Sequence, residues 1–455
     1  MNDVLIIGAG AAGLAAARDI AVAGTQVTVL EARDRIGGRI YTHRDDTSSL
    51  PIELGAEFVH GKHPALMKIF DEASIPFCDV SDHHWYFEKG VLARSHDFWN
   101  KLRALMDLLD LKQPDQTFRK FLASLPDDEA SRQAKAVATR YVEGFHAGRI
   151  DRIGVHGLIK ANEAADEIDG DRAFRVIGGY DSVTRRLHDE AVAAGCIFRL
   201  NTVVKEINWN APGVEATCVS GDSLGGYPQT FEASRLLITL PLGVLQSSFD
   251  EIGAVRFVPD LPEEKRNAIR GLALGHVVHI TLRFSERFWE GLHTRGPFAG
   301  EDLSQLSFVH YPEAPLPTWW SLLHIRAPVL VGWIGGTNAE RLMKLSGKTM
   351  ATRLPRNSLL EEALKSLHMI FGISESRLRK LLVSTHAHDW NSDPFSRGAY
   401  AYLPVNGLEA QQTLATPVDN ILFFAGEAMS VGHVGTVHGA IETGQRAAKE
   451  ILGGS

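Results

Sequence analysis

Gly8, Gly10 and Gly13 stand in G-x-G-x-x-G spacing, after the apolar residues 4–7 and before a small-residue stretch that runs to about Ala23. Residues of these types at this spacing can hold a pyrophosphate. Gly8 permits a tight turn, Gly10 lets the backbone approach the phosphates, and Gly13 lets a helix pack closely on a strand. The first helical turn adds free N–H groups and the positive end of the helix dipole. Glu31 closes a second apolar run, residues 26–30, where a carboxylate can accept hydrogen bonds from a ribose 2′-hydroxyl. Just beyond it, Arg33-Asp34-Arg35-Ile36-Gly37-Gly38-Arg39 offers two glycines for close backbone approach. Arg39 adds a guanidinium able to clamp phosphate oxygens through two parallel bonds. A glycine fingerprint alone is weak evidence, but here strand, helix and acidic residue agree on a dinucleotide-binding unit.

A second chemical signal lies near the C-terminus. Residues 420–427, NILFFAGE, read as a buried strand that ends in a small-residue turn at Gly426 with the carboxylate of Glu427 behind it. Residues 435–444, GTVHGAIETG, open a final helix with glycine and alanine on one side, as close packing against a cofactor or sheet requires. The N-terminus of that helix, at Val437, can stabilise negative charge.

The pairing of GxGxxG…E…GGR with FAGE…GTVHGAIETG resembles the flavin-containing amine oxidases along almost the whole chain. The Gly178-Gly179 turn, the TLPLGVL segment at 239–245 and Phe288-Trp289 fall in that family's order. The sequence looks closest to polyamine and monoamine oxidases and their bacterial relatives. The resemblance implies an extended FAD and places Gly8, Gly10, Gly13, Glu31, Arg39, Leu54, Gly55, Val204, Gly426, Glu427 and Val437 on positions that contact it. Val204 would act through its backbone, against the adenine. Gly398-Ala399-Tyr400 occupies the place where monoamine oxidases have Gly-Cys-Tyr, with the cysteine bonded to the flavin. Alanine has no nucleophile, so non-covalent FAD is expected.

Site residues follow from the same resemblance. Tyr400 matches one wall of an aromatic cage that aligns the substrate amine. Thr436 takes the opposite wall, leaving the cage half open to a bulkier or more polar amine. Trp390 fits a position where an indole lines the flavin cavity. His60, in LGAEFVHG, falls where several polyamine oxidases keep a histidine, and Glu57 in the same loop could meet a cationic substrate. Phe145-His146 is a weaker candidate. His279 stands where relatives carry a lysine bonded through water to flavin N5. An imidazole can hold that water without a permanent charge, which leaves oxidase against dehydrogenase open.

These residues need a scaffold to bring them together. At 455 residues the chain exceeds one ordinary core, and two domains are expected. The fold class is α/β, with a Rossmann-type FAD-binding domain interleaved with a mixed-sheet plus helical substrate domain. The FAD-binding part takes residues 1–62, 175–258 and 397–455, and the substrate part residues 63–174 and 259–396. Residues 63–173 read as helical apart from a hairpin at 84–93. Strand-like runs follow at 197–208, 214–219, 235–240, 276–284, 321–325 and 329–334, with a helix at 358–371.

Composition narrows the partners. Hydrophobic content of 44% and charged content of 22% fit a globular enzyme. A net charge of −8 argues against nucleic acid or an anionic membrane. Cys78, Cys196 and Cys218 are scattered without metal spacing and read as reduced thiols, so a cytoplasmic location is expected. No metal site is expected, and no signal peptide, because the first strand begins almost at Met1. No apolar run reaches the length of a membrane helix. Oligomeric state is open, with a homodimer among the options.

The implied reaction is oxidation of an amine. Hydride leaves Cα for flavin N5, the imine is hydrolysed to an aldehyde or ketone, and O2 reoxidises the flavin to give H2O2. The partners are a small-molecule amine and O2. No base has a clear sequence signal, and none is needed if the amine binds deprotonated. A desaturase or protoporphyrinogen-type oxidase on the same fold, or a flavin-binding protein without turnover, are the alternative readings.

Overall fold

A computed structural model describes residues 3–45, 48–88, 91–94, 97–210, 213–220, 227–292, 303–345 and 356–453. Its first layer is a five-stranded parallel sheet in the order Ile197–Arg199, Val27–Leu30, Val4–Ile7, Arg235–Ile238, Leu422–Phe424. Strands buried on both faces need apolar residues throughout rather than in alternation. Val4 and Ile6 accordingly enter one core, and Leu5 and Ile7 the other.

Helices Ala11–Val22, Asp181–Ala193 and Val437–Ile451 fill the first of these cores. Small residues set how near they come. A Cβ on Gly444 of the last helix would lie 2.2 Å from the Ala12 carbonyl oxygen, so glycine is what lets the two helices touch. The opposite core is closed by a second sheet, ordered Tyr227–Ala233, Val214–Ser220, Thr202–Asn208, Arg256–Val258. The single strand expected over residues 197–208 is in fact two. Asn201 adopts a left-handed conformation, φ 50°, which asparagine tolerates better than most residues. That turn ends one strand in the parallel sheet and sends the next into the second sheet.

A seven-stranded mixed sheet forms the other part of the molecule. Its order is Leu382–His386, Val277–Phe284, Val329–Gly335, Thr318–Ser321, Phe308–His310, His84–Glu88, Val91–Arg94. The last two strands are the expected hairpin. The strand expected at 321–325 instead spans Thr318–Ser321, and a turn follows in which the Ile325 N–H donates to the Leu322 carbonyl. Helices Phe118–Ser124, Glu129–Phe145 and Val155–Glu167 build a separate helical core.

Residues 63–173 are not helical throughout outside the hairpin. Phe77–Asp79 is a strand, and it pairs with Ala173–Val176, which pairs in turn with Phe58–His60. Strands this short carry too few residues for a periodic signal. The small sheet nevertheless sets the loop of Glu57 and His60 beside Arg175. No helix among the described residues is long and apolar enough to cross a membrane.

Candidate active site

The glycine turn has the geometry its spacing suggests. Gly8 has φ 104°, and a Cβ on Gly13 would lie 2.0 Å from the Gly8 carbonyl oxygen. A Cβ on Gly10, by contrast, would meet nothing within 4 Å. Gly10 therefore borders open space at the start of the Ala11–Val22 helix, whose N-terminus no side chain caps. Free N–H groups beside such a space suit phosphate oxygens. Glu31 is buried next to this turn, its Oε2 accepting from the Ala9 N–H at 2.8 Å and Oε1 from the Arg33 N–H at 2.9 Å. Each oxygen keeps acceptor capacity for a ribose hydroxyl. The Glu31 carbonyl accepts from the Thr202 N–H, which brings the strand of Val204 alongside.

The two glycine-rich segments meet at Arg39. Its Nη1 donates to Glu427 Oε1 at 2.8 Å and to the Ala399 carbonyl at 2.7 Å. Glu427 Oε2 accepts from the backbone N–H of Ala401 at 3.2 Å and of Gly435 at 3.0 Å. The guanidinium expected to clamp phosphate is thus itself held by Glu427, and Glu427 ties together the Tyr400 turn and the entry to the last helix. A small cavity beside them is lined by Arg39, Thr239, Pro241, Gly426 and Glu427. A Cβ on Gly426 would also meet nothing within 4 Å. Open space at Gly10 and Gly426, with polar groups between, fits an extended dinucleotide such as FAD.

Tyr400 is held from several sides. Its hydroxyl donates to the Phe145 carbonyl at 2.7 Å, and its backbone carbonyl accepts from Gly275 at 2.7 Å. Burial, with the nearby Glu427 carboxylate, pushes the phenol well above its usual range, so it stays protonated. The Tyr400 ring lies against Gly435, where a Cβ would come 3.1 Å from Cδ2. Gly435, φ 79°, is needed both for that contact and for the turn. Thr436 caps the last helix: its Oγ1 accepts from the Gly439 N–H at 3.0 Å and donates to the His433 carbonyl. Val437 follows as the first helical residue and packs on the first core.

Trp390 is buried, and its Nε1 donates to the Leu54 carbonyl at 2.7 Å. Gly55 sits between it and Arg39. A Cβ there would lie 1.9 Å from the Arg39 carbonyl oxygen and 3.2 Å from Trp390 Cζ2.

From Tyr400 a shell of rings leads to His279. Phe145 meets His60 at 5.2 Å between centroids, and His60 meets Phe58 at 6.1 Å. Phe58 meets Trp320 at 5.3 Å, and His279 lies 5.9 Å from Trp320 and 5.8 Å from Trp333. Burial lowers His60 and His146 to about 4, and it also lowers His279 against the opposing pull of Glu57. These imidazoles are neutral at neutral pH. Glu57 Oε1 accepts from Arg175 Nη2 at 2.6 Å and from Trp320 Nε1 at 2.9 Å.

Trp320, Trp333, Phe58 and Arg175 are absent from the sequence-based site. The rings arrive through cross-strand pairing, which local patterning does not reveal. Arg175 does carry a signal, as a charge inside the apolar strand Ala173–Val176. A separate group of rings, His63, His433 and His438, packs beside the last helix. Among the described residues no group of three or more His, Cys, Asp or Glu side chains is arranged to hold a metal ion.

Comparison with known proteins agrees with this geometry. The family model for flavin containing amine oxidoreductases matches residues 11–452. Polyamine oxidase 3 of Oryza sativa subsp. japonica is 30% identical, with 98% of this chain and 88% of the relative covered. Polyamine oxidase 2 of Arabidopsis thaliana is 30% identical, with 98% and 87% covered. Among solved structures, a putrescine oxidase triple mutant from a redesign of cofactor binding superimposes with a TM-score of 0.78 at 23% identity, 99% of each chain covered. Cyclohexylamine oxidase from Brevibacterium oxydans IH-35A gives 0.76 at 22%, also with 99% of each chain covered, and these two share the fold. A chain that matches the family model over nearly its whole length belongs to the flavin-containing amine oxidoreductases, as an FAD-dependent enzyme.

Proposed function

We propose that this protein oxidises the Cα–N bond of a small amine carrying an apolar substituent, with FAD held non-covalently and O2 as the acceptor. FAD, when bound, supplies the hydride acceptor and passes the electrons on to oxygen, giving hydrogen peroxide. Every other contribution comes from the chain. Gly8, Gly10, Gly13 and Glu31 would hold the adenosine and pyrophosphate end. Arg39, Gly426 and Glu427 would border the middle, and the Val437 helix terminus would favour negative charge on the ring system. Ala399 offers no side chain for a covalent bond.

Tyr400, fixed by its bond to Phe145, would orient the amine with its ring face. Trp390, anchored on Leu54, would close the cavity floor. Orienting the Cα–H bond in this way is a large part of what a protein contributes to such a reaction. The imine leaves the site and is hydrolysed by water to an aldehyde or ketone.

The observation that carries the substituent is the charge state of the shell. Its rings are aromatic, its imidazoles are neutral, and the Glu57 carboxylate is already paired with Arg175 at 2.6 Å. A second ammonium, as in a polyamine, would have to share the Glu57 carboxylate with Arg175, and leaving a buried charge unpaired is costly. Measuring kcat/KM for cyclohexylamine and phenethylamine against putrescine and spermidine tests the assignment. The apolar monoamines should be favoured at least ~10-fold, the worth of about 1.4 kcal/mol. A preference for the polyamines would overturn it.

A further inference from the structure

Two buried polar atoms in the ring shell face each other without a hydrogen-bond partner. Glu57 Oε2 and His279 Nε2 are 3.8 Å apart, and both side chains are 5% exposed. An unsatisfied buried polar atom is rare and costly, so a facing pair needs an explanation. Glu57 cannot swing away, because Oε1 is held by Arg175 and Trp320. His279 is confined between Trp320 and Trp333. With Nε2 turned toward Glu57, Nδ1 is the ring nitrogen left for a ligand.

A small cavity borders the Glu57 side of the pair. Along the same strand face, Thr281 and Arg283 border a cavity of about 30 Å³ whose other walls include Glu53, Glu57 and Arg175. That volume holds one or two waters. Arg175 also leaves Nε and Nη1 buried without a partner. The groups facing His279 are therefore Glu57, from the loop before Phe58–His60, and behind it Arg175, from Ala173–Val176. Trp320 and Trp333 of the large sheet complete the enclosure.

We propose that His279 is the proton acceptor of the reaction and that Glu57 is the positioning residue that makes it one. The inference rests on the amine-oxidation reading above. The N–H bond of the arriving ammonium breaks and its proton forms a bond to His279 Nδ1, so R–NH3+ and imidazole become R–NH2 and imidazolium. No electron is gained or lost in this step. The amine keeps the lone pair that its Cα–H cleavage requires. The imidazolium donates from Nε2 to Glu57 Oε2, closing the 3.8 Å gap, and later yields the proton to water. Carboxylate–imidazole pairs act in this manner by fixing the tautomer and holding the cation. Such bonds are often long until the substrate is bound.

Two measurements on the FAD-loaded protein test the pair. The first is the pH profile of anaerobic flavin reduction by one amine. In His279→Asn the substrate must arrive already neutral, so the rising limb should move up by about two units toward the free amine's own value. The rate near neutral pH should fall ~100-fold and recover in alkali. Glu57→Gln should fall by about 10-fold near neutral pH, with Glu57→Asp restoring most of it. The second is an NMR titration of labelled histidine, with His279 assigned by its loss in His279→Asn. Glu57→Gln should lower the His279 midpoint by about one unit or more. A limb that stays put in His279→Asn overturns the proton-acceptor role. A His279 midpoint unmoved by Glu57→Gln overturns the pairing. If no amine reduces the flavin at any pH, the amine-oxidation reading falls and the acceptor role with it, while the titration still decides the pairing.

Discussion

Replacing Gly10 and Gly13 in turn by alanine separates cofactor binding from folding, although the two lie three residues apart. At Gly13 the new Cβ would sit 2.0 Å from the Gly8 carbonyl oxygen and 3.0 Å from Thr239 Oγ1, where ordinary contact begins at 3.4 Å. Helix and strand must part by more than an ångström in a fully buried layer. Overpacking of that kind costs roughly 1–3 kcal/mol, and the better helix propensity of alanine returns only about 1 kcal/mol. Gly13→Ala should therefore destabilise the apoprotein, with a net loss of up to about 2 kcal/mol. At Gly10 the backbone has φ −77° and ψ −179°, an extended conformation open to any residue, and the Cβ meets nothing. The poorer cap and the stiffer unfolded chain nearly offset, leaving stability within about 1 kcal/mol. That methyl instead occupies the space a pyrophosphate needs. Losing one charge-assisted N–H bond to phosphate is worth about 1.5–3 kcal/mol, or ~10- to 150-fold in the FAD dissociation constant. Urea unfolding of the apoproteins and FAD titration by fluorescence read the two effects separately. An unchanged FAD affinity in Gly10→Ala, or a Gly13→Ala apoprotein as stable as the parent, would refute the reasoning.

Glu427→Gln retains the shape but cannot accept from Arg39, Ala401 and Gly435 together, because its amide NH2 must oppose one of them. With the Arg39 side chain 23% exposed, the loss should reach roughly 1–3 kcal/mol rather than the fully buried value. Lower FAD content and a lower urea midpoint check it, and parental values for both would count against the junction. Acid should destabilise the fold through His60 and His146, whose values fall from 6.5 to about 4 on burial. Because the folded values are depressed, stability is full above pH 6.5 and is lost as pH drops toward 4. The loss should be up to about 2 kcal/mol each after allowance for partial exposure. A double His60→Gln, His146→Gln variant with the same acid slope as the parent would contradict this.

Much of the cofactor side is legible from residues alone. Gly8, Gly10, Gly13 and Glu31 lie within one strand–helix–strand unit, where spacing along the chain maps directly onto spacing in the fold. Glu427 and Arg39 are legible as residues but not as a pair, since 388 positions separate them. Arg39 also meets a carboxylate, a contact that its own segment does not suggest. The cap formed by Thr436 is legible too, since a threonine directly before a helical run is a common N-cap. The ring shell is the least legible part. Trp320, Trp333 and His279 come together through strand registers such as His279 opposite Trp333, and register is settled by the whole sheet. The unpartnered atoms of Glu57 and His279 belong to the same class, since only three-dimensional packing reveals an absent bond.

Mixing the FAD-loaded protein anaerobically with an apolar amine, then admitting air, tests the central claim most directly. The bound flavin should bleach at a rate that saturates with amine, and air should restore its colour with one hydrogen peroxide formed per flavin. A bound flavin that dithionite bleaches but no amine does would contradict amine oxidation.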